Sequence, residues 1–269
     1  MGCVLASMSL KIIILVNLMV MIKKVFIPVL LVLIIFSGCN YIDALNEDGE
    51  LITREISVEA FDRVEIETSV RLVLSNDTVV RVRARGLDFI LDRLNISQNG
   101  TTLVVEAEGN IGFRQKQMPD VIIAAPNTIR ITSNFPSEIS TLDTLIIDNL
   151  TIVVNGRGTF TECHMLLDAG QVSLNVYGSN VGNHIFQGKA EKLNVVAEGL
   201  TSVNASELIA NEVKYIQRSV NDAYLRAREK LSVEIYSSGN VYYYGNPDTT
   251  VKRDYPLYEV ELGNAIPLN

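Results

Sequence analysis

A repeat of about 20 residues in the second half of the chain is the feature that most constrains the fold. Five apolar residues start alternating segments at nearly constant spacing, which shortens slightly towards the carboxyl end: Leu150, Val172, Leu193, Val213 and Leu231. Six residues after the first four starts stand Gly156, Gly178, Gly199 and Ser219. In the fifth unit Ser237 takes this place, and Gly239 follows two residues later.

Each unit contains a short alternating strand, a Gly, Ser or Asn turn and a second apolar segment, as in LSVEIYSSGNVYYYGNP at residues 231–247. A unit of this length cannot bury its own apolar face, whereas stacked copies bury one another and pair their backbones about 4.8 Å apart. The pattern therefore predicts an all-β solenoid, with rungs of about 20 residues over residues 136–262. A β-sandwich also has strands every 8–12 residues or so, but it gives no reason for a constant register.

Residues 49–135 predict a β-rich amino-terminal part of the same domain. Alternation on both sides of Asn76-Asp77 indicates a β-hairpin, and Asn99-Gly100 indicates a second turn. Residues 87–94 place four apolar side chains on one face of a helical turn. Residues 263–269 are expected to be a tail.

The amino terminus predicts export and a lipid anchor. Lys23 and Lys24 precede an apolar run of twelve residues, Val25–Phe36, which is shorter than the about 20 residues of a membrane-spanning helix. The following Ser-Gly-Cys resembles the cleavage site of bacterial lipoproteins. We therefore expect residues 1–38 to be a signal peptide, with Met21 as the true start of translation. Cys39 is expected to be acylated, and residues 39–48 are expected to form the lipidated tether.

Charge and cysteine content exclude several classes of protein. Removal of residues 1–38 leaves 20 basic and 31 acidic residues, a formal net charge of −11, so nucleic acid is not expected as a partner. Cys163 is then the single cysteine left besides the acylated one, which excludes an intramolecular disulfide. The absence of tryptophan weakens the case for a sugar-binding groove of the usual aromatic type.

The residues with catalytic potential do not form a convincing site. Cys163 and His164 are adjacent on a strand, so their side chains point to opposite faces, and Cys163 is expected to be a buried structural thiol. His164 and His184 lie about one rung apart, but no third metal ligand accompanies them. The carboxylates show no paired spacing for general acid and base catalysis. We assign no catalytic residue, metal or cofactor.

Tyrosine is concentrated near the carboxyl end, where eight of the ten tyrosines follow residue 214. The spacing of the last two units aligns Tyr224 with Tyr242 and Leu225 with Tyr243. We expect Leu225 and Tyr243 to face the core. Tyr224, Tyr242 and Tyr244 are then expected to form an exposed stripe that contacts a glycan or a protein, or alternatively to cap the end of the solenoid.

Three stretches resemble a family of Bacteroidota lipoproteins, the auto-transporter adhesins with a head GIN domain: REISVEAFDRVEIETSVRLVLSND, NGTTLVVE and LSVEIYSSGNVYYYGNP. The most specific part is the Gly-x-Val-x-Tyr-x-Gly-x-Pro run from Gly239 to Pro247. The family's Gly-Ser-Gly turns have diverged here, for example to YGSN and SSGN. The resemblance implies a right-handed β-helix-like fold, an adhesive surface role and no catalytic residues.

Three functions remain as hypotheses: a non-enzymatic, lipid-anchored binding surface of the cell envelope, an envelope sensor or scaffold that acts on a membrane partner, and, third, a polysaccharide-active enzyme. Expected partners are the membrane, a second copy of the chain, and a glycan or surface protein. By resemblance to lipoprotein sorting signals, Asn40 favours the outer membrane. By resemblance to the Bacteroidota O-glycosylation motif, Thr78, Thr144 and Thr249 are candidate glycosylation sites.

Overall fold

The computed structural model describes residues 49–76, 79–109, 118–254 and 261–268. The part of the chain from Glu50 onward forms one compact unit. The predicted signal peptide, Met21, Cys39 and the tether at 39–48 lie outside the described residues. Within the described ranges, no helix has the length and apolar character needed to cross a membrane.

The described residues are almost entirely β-structure. The one short helix among them is α1, Asp88–Leu91. The strands are β1 Leu51–Ile56, β2 Arg63–Ile66, β3 Arg71–Ser75, β4 Val82–Leu87, β5 Leu94–Asn99, β6 Thr102–Ala107, β7 Asp120–Ala124, β8 Thr128–Ser133, β9 Glu138–Thr141, β10 Leu145–Val154, β11 Glu162–Val176, β12 Val181–Ser219, β13 Ala223–Ile235, β14 Val241–Tyr244, β15 Asp248–Arg253 and β16 Ala265–Leu268.

The strands stack in parallel as a β-solenoid of about 6 turns with rungs of about 21 residues, which confirms the predicted fold class. Leu150 pairs with Val172, Val172 pairs with Leu193, and Val213 pairs with Leu231, as the repeat predicted. Leu193 and Val213 both lie inside β12, whose 39 residues run through two successive rungs. The sequence register is therefore the structural register.

Two long faces of the solenoid carry most of the ladder. Face 1 consists of β8, residues 149–154 of β10, residues 171–176 of β11, two segments of β12, residues 230–235 of β13, and β15. Face 2 consists of β9, the start of β11, two further segments of β12, residues 223–226 of β13, β14 and β16. Along most of these strands alternate side chains point inward, and the apolar ones stack in columns and form the core.

The parallel ladder begins before residue 136. β2 pairs in parallel with β6 and β8, and β3 pairs in parallel with β7 and β9. The hairpin expected at Asn76-Asp77 is wrong, because β7 and β9 occupy both edges of β3 while β4 pairs antiparallel with β1 and β7. The turn at Asn99-Gly100 is confirmed by the antiparallel pairing of β5 with β6. The helical turn is confirmed for Asp88–Leu91, whereas Leu87 and Leu94 belong to strands β4 and β5.

The carboxyl end contains strand structure where a tail was expected. Residues 265–268 form β16, which pairs in parallel with β14, and Ala265 packs against the core. Pro267 lies within this strand, opposite Tyr243. Proline lacks an N–H donor and is tolerated in strands mainly at a sheet edge, which is the position of β16 among the described strands. The strand is not predicted from the sequence because it is short and contains proline.

The predicted turn glycines lie along one corner of the solenoid. Gly156 separates β10 from β11, Gly178 separates β11 from β12, and Gly239 separates β13 from β14. Gly199 lies at a bend within β12 and has φ +73°, in the left-handed region that favours glycine. A Cβ atom there would lie 2.7 Å from the Asn180 carbonyl oxygen, so the preceding rung leaves no space for a side chain.

Cys163 and His184 are paired inside the solenoid, on neighbouring strands of face 2. Cys163 is buried and its neighbour His164 is exposed, which confirms that the two side chains point in opposite directions. Burial raises the pKa of the Cys163 thiol, with a smaller contribution from Glu162, so the thiol stays protonated. Burial also lowers the pKa of His184 to about 3, helped by His164, and neither ring nitrogen has a hydrogen-bond partner among the described residues.

Substitution of the corner glycine should destabilise the fold. We expect Gly199→Ala to lower the free energy of unfolding by roughly 1–3 kcal/mol, because the residue must hold a positive φ and its Cβ meets backbone atoms of the previous rung. The matched control is Gly156→Ala, where a Cβ meets no atom within 4 Å. Urea unfolding of both variants measures the difference. Equal effects would contradict the proposed crowding at this corner.

The buried histidine should make the fold sensitive to acid. Since the pKa of His184 falls from 6.5 in the unfolded chain to about 3 in the fold, the unfolded chain binds more protons between these values. Stability is therefore retained above the unfolded pKa and lost as pH falls from 6.5 towards 3. Relative to pH 7, the loss attributable to His184 at pH 4.5 should be about 3 kcal/mol.

The variant His184→Leu should remove that part of the acid sensitivity, because leucine does not titrate. The free energy of unfolding is measured by urea titration at pH 7 and pH 4.5 for the wild type, for His184→Leu and for the exposed control His164→Gln. We expect the difference between the two pH values to shrink in His184→Leu alone. The same difference in all three proteins would show that His184 is not buried as a neutral ring.

Candidate functional site

A patch of aromatic and aliphatic side chains lies on the outer side of face 2, at the carboxyl-terminal rungs. β13, β14 and β16 are consecutive parallel strands here. One outward column contains Tyr224, Tyr242 and Ile266, and the next contains Arg226, Tyr244 and Leu268. We call these six residues the tyrosine patch.

The inward neighbours of the patch fix its orientation. Ala223, Leu225 and Val241 alternate with the patch residues and are fully buried, and Tyr243 packs against the core. A strand cannot turn its patch residues inward without exposing these apolar side chains, since the side-chain period is two. The patch is thus held on the surface by the same packing that stabilises the rungs.

The aromatic rings of the patch interact with one another and with arginine. The ring centroids of Tyr224 and Tyr242 lie 5.1 Å apart with an interplanar angle of 14°, close to the spacing of paired strands. The guanidinium carbon of Arg226 lies 5.0 Å from the centroid of Tyr244, and the Arg226 Nε donates a hydrogen bond of 2.7 Å to the Ser206 carbonyl oxygen. These contacts order the patch before any partner binds.

The structure brings together the three tyrosines that the sequence singled out. The pairing of Tyr224 with Tyr242 and of Leu225 with Tyr243 is confirmed, and so is the inward position of Leu225. Tyr224 is 39% exposed, whereas Tyr242 and Tyr244 are partly buried by their neighbours. The geometry places all three on the outer surface of the last rungs.

Sequence reasoning missed the other half of the patch. Ile266 and Leu268 belong to β16, and Arg226 was not singled out because an isolated arginine carries no pattern. Tyr242 and Ile266 are farther apart in sequence than Tyr224 and Tyr242, which pair in the preceding rung. The offsets of the preceding rungs therefore do not predict the pairing of β14 with β16, and only a longer offset would have found it.

A shallow groove of about 440 Å³ lies on the outer side of face 1. Lys192, Lys214 and Lys230 line it together with polar side chains and Glu212. Lys192 contacts Glu212 at 3.5 Å and Lys214 contacts Glu234 at 3.7 Å, so acidic partners offset much of the positive charge. The groove therefore lacks the excess of positive charge that would recognise an anion.

The remaining predicted site residues lie apart from the patch. Thr144 is exposed in the turn between β9 and β10, and Thr249 is partly buried in β15, where its Oγ1 donates a hydrogen bond of 3.1 Å to the Pro247 carbonyl oxygen. Thr78 and Cys39 lie outside the described residues. In the part of the chain that the structure describes, no three His, Cys, Asp or Glu side chains are grouped to hold a metal ion.

Solved structures of similar fold come from Bacteroidales. A putative adhesin from Bacteroides fragilis is 19% identical, with a TM-score of 0.63, and the match covers 81% of this chain and 97% of that chain. A putative adhesin from Parabacteroides distasonis is 15% identical, with a TM-score of 0.60 and coverage of 82% and 98%. A putative lipid binding protein from the same species is 16% identical, with a TM-score of 0.54 and coverage of 81% and 98%.

These identities are low, so the similarity shows a shared fold. A search of curated protein sequences finds no match. The family model described as "Putative auto-transporter adhesin, head GIN domain" matches residues 60–247, which include β2 to β14 and therefore two of the three strands that carry the patch. The chain therefore belongs to the family of putative auto-transporter adhesins with a head GIN domain.

Proposed function

We propose that the chain is a lipid-anchored, non-catalytic adhesion module of the cell envelope, and that its tyrosine patch makes the adhesive contact. The observation that carries this proposal is the patch itself: six outward residues on three adjacent strands, with stacked rings and an ordered arginine. Tyrosine and arginine are enriched at the energetically important centres of protein interfaces. Family membership supports the same role.

A non-catalytic role is supported by the position of the reactive side chains. Cys163 and His184 are buried in the core, and burial raises the pKa of the thiol. A nucleophile needs access to substrate and a base within hydrogen-bond reach. The described surface offers a flat array of side chains in place of such a constellation, which suits binding.

The patch favours a protein surface over a sugar ring as its partner. Sugars usually stack on an open aromatic face, but here the Tyr224 and Tyr242 faces cover each other and Arg226 covers Tyr244. A protein partner can contact ring edges, tyrosine hydroxyls and the aliphatic side chains of Ile266 and Leu268 together. We therefore place a surface protein or a second copy of the chain before a glycan.

Membrane attachment through Cys39 completes the proposal. The residues before Cys39 have the order of a lipoprotein signal, with two lysines, an apolar run and Ser-Gly-Cys. One acyl chain binds a bilayer only marginally, whereas the two or three of a lipoprotein hold it stably. The folded domain then remains in contact with water while the chain stays at the envelope, and we propose the outer membrane as its site.

Replacement of the patch tyrosines should abolish adhesion and spare the fold. Beads coated with the acyl-free mature chain are scored for clumping with one another, which measures contact between copies. For Tyr242→Ser with Tyr244→Ser, we expect at least about tenfold weaker association, the scale of one lost interface anchor, with a Tm change of a few degrees. The small change in Tm is expected because the two side chains point outward.

The matched control is Tyr177→Ser, which removes an exposed tyrosine at the corner that follows β11. It should leave the clumping of the beads unchanged. If the double variant binds as well as the wild type, the patch is not the adhesive surface. If its Tm falls by tens of degrees, the tyrosines serve mainly to cap the solenoid.

A further inference from the structure

A second group of exposed apolar side chains lies at the amino-terminal rungs, on the corner where face 2 ends. It consists of Val80, Leu142, Ile146 and Leu166, which we call the aliphatic ridge. Ile146 is 69% exposed and Leu142 is 66% exposed, the highest values among the large apolar side chains that the structure describes. Exposed aliphatic side chains grouped in this way mark interaction surfaces.

Hydrogen bonds hold the ridge in place. Asn76 Nδ2 donates to the Thr144 carbonyl oxygen at 2.6 Å and to Asp143 Oδ1 at 3.1 Å. The Ile146 N–H donates to Asn76 Oδ1 at 2.9 Å. One asparagine therefore clamps the turn between Leu142 and Ile146, and the two side chains are presented on a braced turn.

The other two members lie on the same corner. The Leu166 N–H donates to Thr141 Oγ1 at 3.0 Å, which places Leu166 one strand from Leu142. Val80 precedes β4, and the adjacent strands β4, β7, β3 and β9 connect this point to Leu142 through the pairs Val82–Ile123, Ala124–Ser75 and Leu74–Thr141. Three strand spacings, about 14 Å, therefore separate Val80 from Leu142 along the solenoid axis, while Leu142, Ile146 and Leu166 form the compact part of the ridge.

The predicted lipid anchor points to the bilayer as the partner of the ridge. The tether from Cys39 to Gly49 contains ten peptide steps and spans at most about 35 Å, so the domain stays that close to the bilayer. The chain enters the domain at Leu51, which pairs with Leu87, and β1 then runs to Ile56, which pairs with Val82, two residues from Val80. One strand length, roughly 17 Å, therefore separates the entry point from the amino-terminal end of the ridge, which is within the reach of the tether.

We infer that the aliphatic ridge inserts into the surface of the lipid bilayer beside the anchor. This inference rests on the lipid anchor of the proposed function. Apolar burial drives the contact, since no excess of positive charge is present to attract anionic lipid. Asp143 and the Asp168–Lys189 ion pair flank Ile146, and the mature chain has a net charge of −11. Zwitterionic lipid should therefore suffice, and anionic lipid should not strengthen binding.

The lipid contact and the tyrosine patch would lie on different rungs. Leu142 follows β9, and four strand spacings of face 2 separate β9 from Tyr224 in β13, through β11 and the two passes of β12. At about 4.8 Å per spacing, the tyrosine patch stands roughly 20 Å along the axis from the ridge. The lipid contact would therefore occupy the amino-terminal rungs and leave the patch, several rungs away, free to contact a partner.

The natural chain contains no tryptophan, so a single introduced tryptophan reports on the ridge alone. Ile146→Trp and Leu142→Trp are prepared separately in the full acylated chain and reconstituted in phosphatidylcholine vesicles with brominated acyl chains. We expect a blue-shifted emission and at least about twofold quenching by the brominated lipid, since the ring would lie at the acyl boundary. The control is Leu200→Trp. Leu200 is 49% exposed and lies on a later rung, so a tryptophan there should be quenched little.

Flotation of the same vesicles separates the two levels of the proposal. The acylated chain should float and Cys39→Ala should not; failure of the acylated chain to float would overturn both the anchor and the ridge contact. If the chain floats but the ridge tryptophans are quenched no more than Leu200→Trp, the anchor stands and the ridge inference is wrong. A blue shift that depends on protein density and not on brominated lipid would assign the ridge to contact between copies, which also overturns the inference.

Discussion

Parallel backbone pairing between successive rungs is the constraint on which the rest of the structure depends. Each strand inside the ladder is held by two neighbours about 4.8 Å away, and a slip of one residue would move its apolar side chains from the core to the surface. The pairing that buries Val172 against Leu193 continues to the last rungs, where it sets Tyr224 beside Tyr242. Core and surface columns are thus determined together.

This coupling divides the molecule into an invariable interior and an adaptable exterior. Inward positions must fill the solenoid, and there the side chains of Cys163 and His184 contribute to packing. Because burial lowers the pKa of His184, the fold loses stability in acid. Outward positions bear no such requirement, so they can carry the tyrosine patch at one end and the aliphatic ridge at the other. That separation would let one module carry the proposed lipid contact on its first rungs and the proposed adhesive contact on its last rungs.

The sequence predicted what depends on the repeat and missed what departs from it. The register from Leu150 to Leu231 was readable because each unit has nearly the same period, and the tyrosine pairing followed from it. The pairing of β3 with β7 and β9 was not readable, because such parallel contacts join distant segments and leave no local turn signal. Strand β16 was missed because four residues with a proline give too little alternation.

The orientation of the patch on a living cell tests the account most directly. Asn204→Cys places a thiol on the exposed strand position next to Tyr224, while Cys163 gives little background because it is buried and burial raises its pKa. Intact cells are treated with a membrane-impermeant maleimide, and the labelled chain is quantified before and after the envelope is opened. The account predicts full labelling of intact cells. Labelling only after the envelope is opened would contradict it and favour a periplasmic sensor or scaffold.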